Sequence, residues 1–286
     1  MVEPVVTPVV EAARDDGLAD LELSLLLEAV HRFSGQDFTD YAQATLKRRV
    51  AERLRSENAQ TISGLQERLL HDPDALARFV FAMSGGSGQL FADVVFFRAF
   101  RLHVVPLLRT YSFARVWVPC CASGEDAYSL AVLLQEEGLL ERSMIYATDA
   151  SDLAIAAARA GTFEFEASGD ASAAHRSGGA KRSLSEFADL SERSLTFRDE
   201  LKRHIIFAKH NLVTDGSLNE FHVIVARGVL RHFNRSLQFR VHNLFLNSLI
   251  RLGFLCLGSS ESLRHTPHEG VFRRVADDAP IYRRMR

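Results

Sequence analysis

The chain has 286 residues and carries 34 Lys or Arg against 36 Asp or Glu, a formal charge of -2. A 47% hydrophobic and 24% charged composition suits a folded globular protein rather than a disordered one, and so balanced a charge gives no expectation of nucleic acid as a partner. No apolar run reaches the roughly 18 residues that a bilayer span needs, so direct membrane insertion is not expected.

The opening Met1-Val2-Glu3-Pro4 has neither the basic start nor the apolar core of a signal peptide. Of the cysteines Cys120, Cys121 and Cys256, two are sequence neighbours that rarely pair, and no Cys/His spacing resembles a metal site. A reduced cytoplasmic setting and no metal are the expectations.

Residues 1–20 read as a disordered N-terminus. Leu23, Leu26, Leu27 and Val30 then recur at helical spacing up to Gly35. A second helix carries Ala42, Leu46, Val50 and Leu54, with Lys47, Arg48, Arg49, Arg53 and Arg55 assigned to its other side. Leu65, Leu69 and Leu70 mark a third helix. Asp72-Pro73 opens a fourth as N-cap and first helical residue, with Leu76, Phe79, Val80 and Met83 facing inward. Residues 21–84 are therefore expected to be an all-helical domain, and 85–111 a linker with a connecting helix from about Asp93 to Tyr111.

Beyond it the pattern changes. Short apolar runs at Val116–Val118, Met144–Ala147, Ile205–Ala208, His222–Val225 and Phe254–Leu257 alternate with helices at Tyr128–Glu137, Leu153–Ala160 and Leu237–Leu249. That alternation predicts a mostly parallel α/β sheet over 112–286, closed by an antiparallel hairpin at Val271–Val275 and Ile281–Arg284. Residues 166–198, with their Ser/Ala/Gly-rich start at Ser168–Gly179, read as a flexible insertion.

Open α/β sheets bind ligands beyond the carboxyl ends of their strands. The first strand here ends in Pro119-Cys120-Cys121-Ala122-Ser123-Gly124-Glu125-Asp126. Small residues let the backbone approach a ligand closely. The paired acids would repel a phosphate yet hold an ammonium. Asp149, at the end of the second strand, suits ribose hydroxyls. Each feature has a local alternative: Gly124 as a tight turn, Asp149 as the cap of the helix near Leu153. Taken jointly, at two strand ends, an ammonium and a ribose describe S-adenosylmethionine.

The string from Trp117 to Leu130 resembles the S-adenosylmethionine motif of the CheR family, the chemotaxis-receptor protein-glutamate O-methyltransferases. Ala147-Thr148-Asp149 resembles the family's ribose strand end, and His210-Asn211-Leu212 its adenine side. Ala226–Phe233 resembles its C-R-N-V-L-I-Y-F segment, and Gly258–Leu263 also fits. The resemblance implies a Rossmann-like methyltransferase domain behind a helical one, with S-adenosylmethionine or S-adenosylhomocysteine held by Cys120, Gly124, Glu125, Asp126, Asp149, Ala150, Asn211, Leu212 and Arg227. It implies catalytic roles for Arg227 and His232, and a receptor-facing basic helix bearing Lys47, Arg48, Arg49 and Arg53. The implied partner is a chemoreceptor-like or other signalling protein.

The sequence departs from that family where the acceptor should be aimed. The N-x-T-x-x-F-R pattern is replaced by Gly86–Asp93, with Ala92 on the arginine slot. Asp93 followed by Phe96-Phe97 disfavours the register that would put Arg98 there instead. Gly228 replaces the family's asparagine, His232 its tyrosine, and Cys120 a glycine or alanine, while Asp126 is one methylene shorter than the usual glutamate. Three readings follow: a working protein-glutamate methyltransferase, a pseudoenzyme that binds the cofactor or its product as a sensor or interaction module, and a reshaped pocket for another small ligand. The composition around Ser168–Gly179 also predicts no strand-built grip on a receptor tail peptide.

Overall fold

The computed structural model describes residues 8–85, 88–164, 171–218 and 220–286. They divide into two compact units, Met1–Met83 and Ser84–Arg286. The first contains α1 (Pro8–Ser34), α2 (Gln43–Ser56), α3 (Ile62–His71) and α4 (Pro73–Ser84). Of the disorder expected at 1–20, residues 1–7 lie outside the described residues, whereas from Pro8 onward the chain is already helical. Ala12, Ala13 and Ala19 in that stretch are strong helix formers.

Leu23, Leu26, Leu27 and Val30 are buried, as their spacing predicts. Phe38 packs edge-on against Tyr41 at 5.3 Å and Phe79 at 6.3 Å. Thr61 caps α3 by accepting the Gly64 N–H at 3.0 Å, and Asp72 accepts from Asp74 and Ala75 at the start of α4. The buried Glu57 gathers arginines from three helices. Arg78 binds it bidentately at 2.8 and 2.9 Å, Arg68 approaches to 3.2 Å and Arg53 to 3.8 Å. The hydrogen bonds from Arg78 hold its carboxyl below the usual range.

The second unit contains α5 (Val94–His103), α6 (Val105–Leu108), β1 (Ala114–Pro119), α7 (Glu125–Glu136), β2 (Ser143–Asp149), α8 (Asp152–Ala160), β3 (Thr162–Glu164), α9 (Ala171–Ser177), β4 (Ala188–Leu190), β5 (Ser194–Phe197), α10 (Asp199–Lys202), β6 (Ile205–Lys209), β7 (Phe221–Ala226), α11 (Arg235–Ser248), β8 (Leu249–Leu257), β9 (Phe272–Arg274) and β10 (Ile281–Arg284). The single helix expected from Asp93 to Tyr111 is two, because Pro106 has no N–H to continue the ladder. The main sheet has the order β6-β2-β1-β7-β8-β10-β9. Its first five strands are parallel and the last two antiparallel, which makes it Rossmann-like with a closing hairpin, as expected. Trp117 anchors its centre: fully buried, it stacks on Phe221 at 5.3 Å and donates Nε1–H to the Thr148 hydroxyl at 2.9 Å.

The insertion is where the structure corrects the sequence reading. Residues 165–170, including the start of the Ser168–Gly179 tract, lie outside the described residues, but 171–177 form α9. Around that tract, β3, β5 and β4 form an antiparallel sheet. Phe197 lies flat on Tyr128 at 4.7 Å, tying this sheet to α7. The buried side chains of His175 and Glu136 approach to 3.3 Å, and the Lys181 and Arg182 N–H groups donate to the same carboxylate at 3.0 and 3.1 Å. Burial pushes the Glu136 carboxyl up, but the bonds from His175 and Arg101 prevail and bring it down to about 2.

Candidate functional site

The parallel register of β1 and β2 sets Pro119 beside Thr148, so their two exit loops run side by side. The Cys121 N–H donates to the Thr148 carbonyl at 2.9 Å, and the Ala122 N–H to Asp149 Oδ2 at 3.1 Å. Asp149 is fully buried, and its Oδ1 accepts from the Ser151 N–H at 2.9 Å. On the far side of β2, the His210 N–H donates to the Asp149 carbonyl at 3.0 Å. The loops after β1, β2 and β6 therefore meet at one residue, and the turn residues, Asp149, Ala150, Asn211 and Leu212 are brought together at one sheet edge.

Backbone conformation explains the small residues in the turn. Gly124 has φ 96°. A Cβ there would stand 3.2 Å from Ala158 Cβ and 3.3 Å from Tyr128, so glycine serves both torsion and space. Cys120 has φ 49°, a left-handed torsion that a side chain strains. Asn211 closes its own turn, its Oδ1 accepting the Val213 N–H at 2.9 Å while Leu212 is buried.

The two acids of the turn are not equivalent. Glu125 folds inward, buried, and accepts the Gly88 N–H at 2.9 Å. Asp126 instead forms a bidentate pair with Arg227, at 3.1 Å from Nε and 2.8 Å from Nη2. Arg227 Nη1 donates to the Ala92 carbonyl at 2.7 Å, and the guanidinium lies 4.5 Å above the Phe96 ring. Arg227 is thus a clamp joining β7, α7 and the segment before α5. Arg98 donates to the Ser177 carbonyl in the insertion.

Gly228 follows at φ 70°, the torsion that asparagine tolerates best after glycine. His232 is half-buried in the short 3-10 turn that follows. A residue without an assigned role in the sequence reading also belongs here. Glu261, buried after β8, accepts the Gly228 N–H at 3.0 Å and the Arg231 N–H at 3.1 Å. Its signal was an acid three residues past a strand-end glycine, in the Gly258–Leu263 string.

In the helical unit, the basic helix is only partly basic at its surface. Lys47 pairs with Asp20 at 2.6 Å and Arg48 with Glu52 at 2.8 Å, both exposed. Arg49 is buried and donates to the Met83 carbonyl, and Arg53 reaches toward Glu57. Arg49 therefore cannot face a partner: at i+3 from Leu46 it shares that residue's inward face.

The site's electrostatics favour a donor-rich ligand. Burial pushes both the Glu125 and Asp149 carboxyls up, against the backbone N–H bonds that hold them down. Among the described residues, the groups that bond these two acids are backbone N–H groups and the Ser84 hydroxyl, not cations. An ammonium and ribose hydroxyls would supply what the acids lack, so the residues present fit S-adenosylmethionine or its product. Among the described residues, no helix is long and apolar enough to cross a membrane, and no cluster of three or more His, Cys, Asp or Glu is disposed to hold a metal.

Both units have counterparts among known proteins. Residues 88–278 match the model of the CheR methyltransferase SAM binding domain, and residues 21–84 that of the CheR methyltransferase all-alpha domain. A putative methyltransferase, Cher3, of Pseudomonas putida is 36% identical over 265 residues, covering 93% of this chain and 97% of that protein. A chemotaxis protein methyltransferase of Listeria innocua is 26% identical over 266 residues, covering 89% and 95%. Among solved structures, a SAM-dependent methyltransferase of Geobacter sulfurreducens in complex with S-adenosyl-L-homocysteine matches with TM-score 0.33 and 13% identity, covering 64% of this chain and 54% of that one.

Proposed function

The chain belongs to the CheR methyltransferase family, and from that premise we propose that it binds S-adenosylmethionine or S-adenosylhomocysteine at the ends of β1, β2 and β6 but transfers methyl groups poorly or not at all. Its cofactor domain is the family's SAM-binding domain. Glu125 would hold the methionine end, Asp149 the ribose, and Asn211 and Leu212 the adenine side. When bound, S-adenosylmethionine supplies an electrophilic sulfonium methyl. An ionised glutamate needs little help from a general base, so the protein's contribution is to aim the acceptor and exclude water.

One observation carries the reading. The Arg227 guanidinium is spent on Asp126 and the Ala92 carbonyl, and position 92 offers no second arginine to orient a carboxylate. Gly228 removes a further polar side chain of the family pattern, and His232 puts a shorter imidazole in place of its tyrosine. The protein then acts on or with a chemoreceptor-like or other signalling protein in the cytoplasm, holding cofactor or product as a binding module. Of the four cations assigned to such a partner, Lys47 and Arg48 are the exposed ones, each paired with an acid of its own unit.

Two measurements test this. Calorimetric titration with S-adenosylmethionine and S-adenosylhomocysteine should give heat with at least one; silence with both sinks the cofactor reading and favours another small ligand. Labelled-methyl transfer to receptor cytoplasmic domains should be slow for the wild type and rise at least about tenfold in the triple variant Ala92→Arg, Gly228→Asn, His232→Tyr, which restores positioning groups. Rapid wild-type transfer would refute the loss of catalysis.

A further inference from the structure

The Glu261 carboxylate is engaged by three backbone N–H groups. Oε2 accepts from Gly258 at 2.7 Å and Gly228 at 3.0 Å, while Oε1 accepts from Arg231 at 3.1 Å. Charge-assisted bonds of this kind are stronger than neutral ones. Two of the donors lie on the loop leaving β7 and the third on the loop leaving β8, so one carboxylate fastens the exits of two neighbouring parallel strands. The contact is close enough to exclude a side chain. A Cβ on Gly258 would stand 2.7 Å from the Gly228 nitrogen and 2.9 Å from Glu261 Oε2. The residue before Gly228 is Arg227, whose guanidinium reaches across to Asp126 in the first turn of α7.

We propose that Glu261 is a positioning residue: through the Gly228 and Arg231 N–H groups it fixes the loop after β7, and with it the Arg227 guanidinium beside the methionine end of the cofactor site. The proposal rests on reading that site as one for S-adenosylmethionine or its product. Sheet order makes the effect directional. β2 and β6, which carry the ribose and adenine residues, lie on one side of β1, and β7 lies on the other. Loosening the β7 loop should therefore disturb the amino-acid end of the ligand and spare the adenosine end.

Glu261→Gln tests this in the full chain, because it keeps the side chain's size but turns an NH2 group toward N–H donors. Three quantities are measured: amide exchange over residues 227–232, affinity for S-adenosylhomocysteine, and affinity for adenosine. Expected are exchange about tenfold faster and S-adenosylhomocysteine about tenfold weaker, with adenosine binding unchanged. Equal losses for both ligands mean general loosening and overturn the proposal, as does unchanged exchange. A wild type that binds neither ligand refutes the site reading, while the exchange measurement still decides whether Glu261 fixes the loop. If Glu261→Gln fails to fold, Gly258→Ala pushes on Gly228 with the carboxylate intact and carries the same three comparisons.

Discussion

His242 on α11 is 3% exposed, and its ring lies 5.8 Å from that of His268, itself buried and 5.6 Å from Phe239. Burial first, and the neighbouring His268 second, bring the His242 pKa down from 6.5 to about 4. The folded imidazole thus binds its proton less readily than the unfolded one. Stability from this group is full above pH 6.5 and is lost as the pH falls through the folded value. At pH 5 the unfolded imidazole is about 97% protonated and the folded one about 10%, a loss near 2 kcal/mol relative to pH 7. His242→Leu removes the titration and leaves only a constant offset. Trp117 is the single tryptophan and is buried in the main sheet, so its fluorescence in urea reports on the α/β unit. Between pH 7 and 5 the wild type should lose about 2 kcal/mol more than His242→Leu; the same pH dependence in both would show that His242 is not held neutral.

The Arg227 clamp should behave as a coupled pair. Arg227→Ala should cost about 3 kcal/mol in urea unfolding, and Arg227→Ala with Asp126→Ala clearly less than the two single losses together. Strictly additive costs would mean that the pair contributes nothing. Cys120→Gly should raise the unfolding free energy by about 1 kcal/mol, because glycine relieves the left-handed torsion at the cost of some chain entropy; a drop in stability would contradict the strain. At Gly228, Asn should cost well under about 1 kcal/mol and Val about 2 or more, since the nearest side-chain atoms to a new Cβ are 3.6 Å away and only the torsion discriminates. Equal thermal shifts for Asn and Val would remove that argument.

What could be read from the sequence follows from range. Leu23 to Val30, the Asp72-Pro73 cap and the strands around Trp117 announce themselves within a few residues, because helix and strand periods are local. The strands at 162–164 and 188–190 are three residues long and rich in Thr, Glu and Asp, too short to show alternation. The Asp126–Arg227 pair spans 101 positions, and nothing near either residue announces the other. Arg49 is a different failure. Its spacing from Leu46 placed it on the inward face, but its charge suggested the outward one, and the Met83 carbonyl accounts for its burial. Glu261 was visible as a letter in a familiar string, but its three N–H donors come together only through the parallel register of β7 and β8.

The insertion has one further consequence. Its two ends meet: the Phe197 N–H donates to the Gly161 carbonyl at 2.9 Å, so the chain departs and returns one hydrogen bond apart. Closing a loop on such a base costs free energy that grows only with the logarithm of its length. The segment between is therefore closed at its base by the Gly161–Phe197 bond and the Tyr128 stack, while Leu184, Phe187 and Leu195 within it are buried in the main core and hold its middle against the same domain.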